Sequence, residues 1–161
     1  MVKKLSIGEI FLIPTGGDHF ALGQVVGVYG GNAYYLVTFK RRLGRGSLTP
    51  AGLSESQASD PEMIALTLDA RFHSGDWEVV GLLPVTKMVS LPDSIECDAE
   101  GKLWVVDHAG SILRPALTRE DLLLPYRKIV APIRLENALK ARDGNANWRA
   151  EYDELLISPI D

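Results

Sequence analysis

Between Gly8 and Phe39 apolar and polar positions follow one another as three short strands with their turns written between them. Glu9-Ile10-Phe11-Leu12-Ile13-Pro14 is an apolar run that stops at a proline, and Thr15-Gly16-Gly17-Asp18 supplies residues that tolerate a tight turn. From His19 to Tyr29 the apolar side chains Phe20, Leu22, Val26 and Val28 keep the period of a half-buried strand. Gly23 and Gly27 lie inside that strand, which predicts a bulge or a close approach of another backbone there. Gly30-Gly31-Asn32 is a second turn, and Ala33-Tyr34-Tyr35-Leu36-Val37-Thr38-Phe39 is a third strand, rich in aromatic and β-branched residues.

The pattern weakens after Phe39. Lys40-Arg41-Arg42-Leu43-Gly44-Arg45-Gly46 is basic, and Ser47 to Pro61 is polar, with Pro50, Gly52, Ser54, Ser56 and Ser59, so this segment is expected to be the longest loop. An apolar run from Met63 to Phe72 reads as a strand, His73-Ser74-Gly75-Asp76 as a turn, and Trp77 to Pro84 as a further strand. A second meander follows in Ser94 to Asp98, Lys102 to Asp107 and Ile112 to Arg114. Thr118 begins an N-capped helical turn with Glu120 and Asp121 near its positive end.

The period changes near the end. Pro132 opens a helix in which Leu135, Ala138 and Leu139 recur at helical spacing, and Asp143-Gly144 stops it. Asn147 is expected to cap a last helix whose stripe is Trp148, Tyr152, Leu155 and Leu156, with Trp148 as the anchor on the sheet. Strands first and helices last predict an α+β fold: a mainly antiparallel, curved sheet or partly open barrel with short C-terminal helices packed on it.

The 161 residues fit a single domain, and the 46% hydrophobic and 24% charged content is that of an ordinary globular chain. A net charge of −4 disfavours general attraction to nucleic acid and leaves room for a basic protein partner. No apolar run approaches the ~20 residues that span a bilayer, so no membrane partner is expected. A single cysteine, Cys97, and no signal-like apolar core at the N-terminus point to a cytoplasmic protein.

Candidate chemistry is sparse. His19, His73, His108 and Cys97, with Asp18, Asp76, Asp98 and Asp107 as neighbours, are the residues from which a metal or nucleophile site would be built, but none has the spacing of a metal or catalytic motif. Cys97, on an alternating strand, reads as a small core hydrophobe, and Trp77, Trp104 and Trp148 read as core tryptophans. No cofactor, metal or hydrolytic activity is expected. Lys40, Arg41, Arg42 and Arg45, preceded by Tyr34, Tyr35 and Phe39, leave open a nucleic-acid or ligand-binding barrel, and His73, Asp76 and His108 leave open a hydrolase.

Ile7-Gly8-Glu9-Ile10-Phe11-Leu12-Ile13-Pro14 followed by Phe20-Ala21-Leu22-Gly23-Gln24-Val25-Val26 resembles the N-terminal signature of the Immunity protein 26 family of bacterial polymorphic toxin systems. Ser74 to Gly81 is similar to that family's Gly-x-Trp strand, and Ala131 to Ala141 with Trp148 and Tyr152 is similar to its helical end. The resemblance implies a non-enzymatic protein that binds and neutralises a cognate toxin. Contact residues do not follow from it, because the matched positions are strand, turn and helix residues. From the residues themselves the expected contact acids are Glu55, Asp60 and Glu62, carried by the polar segment, which would speed the encounter with a basic toxin.

Overall fold

The structure, a computed structural model, describes residues 4–86 and 90–157 and is α+β. Its larger sheet is built from β1 (Glu9–Gly16), β2 (His19–Tyr29), β3 (Ala33–Phe39), the two-residue β4 (Leu43–Gly44), β5 (Pro61–Leu68) and β6 (Glu78–Leu82). The order is β5-β3-β2-β1-β6, with β4 beside β2, every ladder is antiparallel, and the sheet does not close into a barrel. A second sheet of three antiparallel strands, β7 (Ser94–Cys97), β8 (Leu103–Val106) and β9 (Ile112–Pro115), is the meander read from the sequence.

The two glycines of β2 act in different ways. Gly23 pairs with Phe11 across the ladder, and a methyl group at Gly23 would lie 2.4 Å from the Phe11 ring, so this glycine makes room for a buried aromatic. At Gly27 the register with β3 slips by one residue, which is the expected bulge.

Both faces of the larger sheet are covered, which is why all seven residues of β3 are buried. One face carries Phe11, Ile13, Val25, Leu36 and Met63 and is closed by α4 (Pro132–Arg142) through Leu135, Ala138 and Leu139. The other carries Leu12, Leu22, Tyr35, Val37 and Phe39, with Leu43, Leu53 and Leu91 packed on it. The smaller sheet is tied to this body by the Tyr35 hydroxyl, which donates to the His108 carbonyl at 2.9 Å, and by Arg127, which donates to the Asp107 carbonyl at 2.7 Å. The Arg127 guanidinium also lies 4.0 Å from the centre of the Tyr29 ring.

Several expectations are corrected. Ser47 to Pro61 is not a long loop: it contains α1 (Pro50–Gln57), with Pro50 at its first position and the Thr49 hydroxyl accepting from the Gly52 amide at 3.1 Å. This helix has no apolar stripe to betray it. Polar anchors hold it instead, the buried Ser56 hydroxyl donating to the Arg41 carbonyl and the Gln57 amide donating to the Pro84 carbonyl. The run from Met63 is strand only to Leu68, after which α2 (Ala70–His73) makes one helical turn and sets Phe72 against Phe11.

The terminal helix also differs. It is a 3-10 segment over Ala150–Leu155, preceded by Arg149 rather than capped by Asn147. Three residues per turn align Tyr152 with Leu155, and both are buried, whereas Trp148 lies before the helix and is 38% exposed. Its ring meets Tyr152 edge-on and its indole N–H donates to Asp153 at 2.9 Å. Trp148→Ala is therefore expected to cost less than about 1 kcal/mol, as for a surface substitution. A loss of about 3 kcal/mol or more in a denaturation experiment would restore the anchor role.

Candidate binding surface

The expected contact acids occupy three different environments. Glu55 is exposed on α1 and pairs with Arg41 at 3.1 Å, and Asp60 is exposed just before β5. Glu62 is 6% exposed and lies between Arg42 at 2.8 Å and Arg142 at 3.3 Å, with Asp143 on the far side of Arg42 at 2.9 Å. It is a structural ion-pair residue that ties β5 to the end of α4, so it is not available as an encounter charge. The three acids do not form one surface of the expected kind.

Three of the four cations in the basic run are paired with acids, and Lys40 is exposed. Arg41 faces Glu55, Arg42 faces Glu62 and Asp143, and Arg45 faces Asp18 at 3.1 Å. Tyr34, Tyr35 and Phe39 are buried, so they offer no rings on which bases would stack. The run closes the fold at this end rather than presenting a cationic groove.

The candidate catalytic residues are dispersed. His73 pairs with Asp69 at 2.8 Å on the turn after β5, and Asp76 is held by Arg71 at 3.1 Å and by the Ser74 hydroxyl. His108 sits in the β8–β9 turn with its ring edge-on to Tyr35, and His19 is exposed at the start of β2. Asp98 and Asp107 are turn residues: Asp98 accepts from the amides of Glu100 and Lys102, and Asp107 from those of Ala109 and Ser111. Among the described residues no three His, Cys, Asp or Glu side chains gather where they would hold a metal ion, and no described helix is long and apolar enough to cross a membrane. Cys97 is exposed rather than a core residue, at the end of β7 where burial gives way from Ser94 and Ile95 to Glu96 and Cys97.

The smaller sheet and the chain that follows it differ from the rest of the surface. Of the fifteen large apolar residues exposed among the described residues, eight fall between Ile112 and Ile133. Leu117 and Leu123 are 78% and 76% exposed, and Ile112, Leu122 and Tyr126 are each more than half exposed. Scattered exposed leucines are normal, but a concentration of this kind marks a surface made to be covered.

Local structure explains why these side chains face outward. β9 is the edge of its sheet, and its register with β8 slips at Val105 and Val106, so neither Ile112 nor Leu113 turns fully inward. The single turn α3 (Arg119–Leu122) is capped by Thr118, whose hydroxyl accepts from the Asp121 amide at 3.0 Å. Arg114 of β9 binds the Asp121 carboxylate at 2.7 Å. That contact, chiefly the hydrogen bond from Arg114, holds the Asp121 carboxyl below its ordinary range, so the pair stays ionised and fixes α3 against the strand. The exposed leucines on either side are thereby presented on a set backbone.

On the face of the smaller sheet lies a groove of about 300 Å³ between Trp104, Val106 and Ile112, with Glu96 and Asp98 along it. Trp104 is half-buried, donates its indole N–H to Asp98 at 2.9 Å, and has the Lys102 ammonium 4.3 Å from its ring centre. It is therefore not the core tryptophan expected, in contrast to Trp77. A larger cleft of about 380 Å³ runs between β5 and the segment Pro125 to Val130, with Tyr126 in its wall and a Lys128 to Glu154 ion pair of 3.1 Å beside it. Comparison of the chain with models of known families, with characterised proteins and with solved structures finds no match.

Proposed function

We propose that this chain is an immunity protein of the Immunity protein 26 type, which binds a cognate toxin domain made in the same cell and neutralises it by covering the toxin's active surface. The observation that carries this reading is the exposed apolar run from Ile112 to Ile133, in which the Arg114–Asp121 ion pair ties β9 to α3. Covering one Leu or Ile side chain contributes about 1.5–3 kcal/mol, so a partner that seats on a few of them gains enough to bind firmly after the costs of association. The scattering of histidines and the satisfied turn aspartates support a protein that acts by occupying a surface. The resemblance of Ile7 to Val26 and of Ala131 to Ala141 to the family's two ends supplies the nature of the partner.

The test is co-expression with the toxin domain encoded beside this gene. Cells making the toxin are expected to resume growth when this chain is present, and the two proteins are expected to co-purify. Continued growth arrest with a folded, well-expressed chain and no complex would refute the proposal.

A further inference from the structure

We infer that the toxin docks on the smaller sheet and the β9–α3 ridge, and that it does so with a basic contact surface carrying apolar anchors. This rests on the immunity reading above and adds the place of contact and the chemistry of the partner.

Charge distribution is the first ground. Between Asp93 and Asp121 there are seven acidic residues and only three basic ones, Lys102, Arg114 and Arg119, a balance of −4 that equals the formal net charge of the whole chain. The remaining sequence is therefore balanced, and the excess negative charge lies on the segment that forms the smaller sheet and α3. An acidic segment that carries exposed apolar residues attracts a basic surface and accelerates encounter, while the apolar residues supply the lasting affinity.

The groove is the second ground. Trp104, Val106 and Ile112 form an apolar trough, and the side chain of Glu96, exposed beside it, makes no hydrogen bond or close ion pair among the described residues, although the Arg127 guanidinium attracts it at longer range. Asp98 is already occupied by two backbone amides and the Trp104 indole, so Glu96 is the carboxylate open to a visitor. A trough with a carboxylate at its side suits the side chain of an arginine or lysine, whose methylene stem lies on the apolar walls while its charge meets Glu96. Lys102, stacked over Trp104, shows that this ring already receives a cation within the chain itself.

The probe is the toxin domain encoded beside the gene, its binding followed by calorimetry and by stopped-flow association at low and high salt. Leu123→Asp and Glu96→Lys, both at exposed positions, are expected to keep the wild-type melting temperature and to weaken binding about tenfold or more. Glu96→Lys is also expected to lower the association rate at low salt and reduce its salt dependence. Leu82→Asp, at an exposed apolar position on the far edge strand β6, is the control and is expected to bind as wild type. If both surface variants bind like wild type while wild type binds and protects, this surface is wrong and the immunity reading stands. A loss with Leu123→Asp but none with Glu96→Lys would keep the ridge and overturn the basic partner. Failure of wild type to bind or protect would overturn the immunity reading itself, and the docking inference with it.

Discussion

Trp77→Ala is expected to lower stability by about 3–5 kcal/mol, the range for removing a fully buried large aromatic. Trp77 is 1% exposed just ahead of β6, where its ring stacks on Phe11 at 5.6 Å between ring centres and meets Phe72 edge-on at 5.4 Å. Phe11 in turn occupies the space left open by Gly23, so the cavity would open inside the buried aromatic cluster packed against β1, where close packing limits collapse. The loss also removes the indole N–H that reaches Glu136 at 3.0 Å. Urea denaturation would show the change as a lower midpoint, and a shift of less than about 1 kcal/mol would mean that the aromatic cluster contributes little to the fold.

Glu136→Gln is expected to cost about 2–3 kcal/mol at neutral pH and to flatten the stability of the protein in acid. Glu136 is 2% exposed on α4 and accepts hydrogen bonds from Arg71 at 2.9 Å, Trp77 at 3.0 Å and Lys140 at 3.1 Å. Arg71 and Lys140 are partly exposed, so water relieves part of their loss, and the cost falls short of that for a fully enclosed pair. Burial by itself pushes the Glu136 carboxyl upward, but the donors from Arg71, Trp77 and Lys140 outweigh it and hold the group below its ordinary value of 4.5. A carboxyl with a depressed folded pKa stabilises the fold fully above its unfolded pKa, and that contribution disappears as pH falls through the folded value. Wild type is thus expected to lose stability below about pH 4.5, and the glutamine variant to lose less over the same window. Equal slopes for the two proteins between neutral pH and about pH 3 would remove Glu136 as a source of the acid sensitivity.

The same cluster shows where sequence reasoning succeeds and stops. Leu135, Ala138 and Leu139 are legible as the inner face of a helix, because helical spacing alone places them together. Glu136 shares that buried face, and nothing in its spacing separates it from a solvated glutamate. Its partners Arg71 and Trp77 lie about sixty residues earlier, so only the packed chain brings them together. Glu62 is the parallel case: read beside Glu55 and Asp60 it looks like a surface acid, and the arginines that bury it come from the β3–β4 connection and the end of α4.

The strands and turns through Phe39, the second meander and the α4 stripe follow from local rules: alternation across a pleat, glycine and asparagine where the chain must turn, and apolar residues on one side of a helix. Those rules act over a few residues and need no knowledge of what lies opposite, so they are readable in a single sequence. Tertiary structure decided the rest. Helix α1 exists because Ser56 and Gln57 find backbone carbonyls in distant segments, and Trp148 stays outside because a 3-10 helix begins after it. Ile112, Leu117, Leu122 and Leu123 have the composition of a core and become surface, since both faces of the larger sheet are already covered by α4 on one side and by Leu43, Leu53 and Leu91 on the other. An apolar residue is inside or outside only relative to what else is packed, and that relation is set by contacts far apart in the chain.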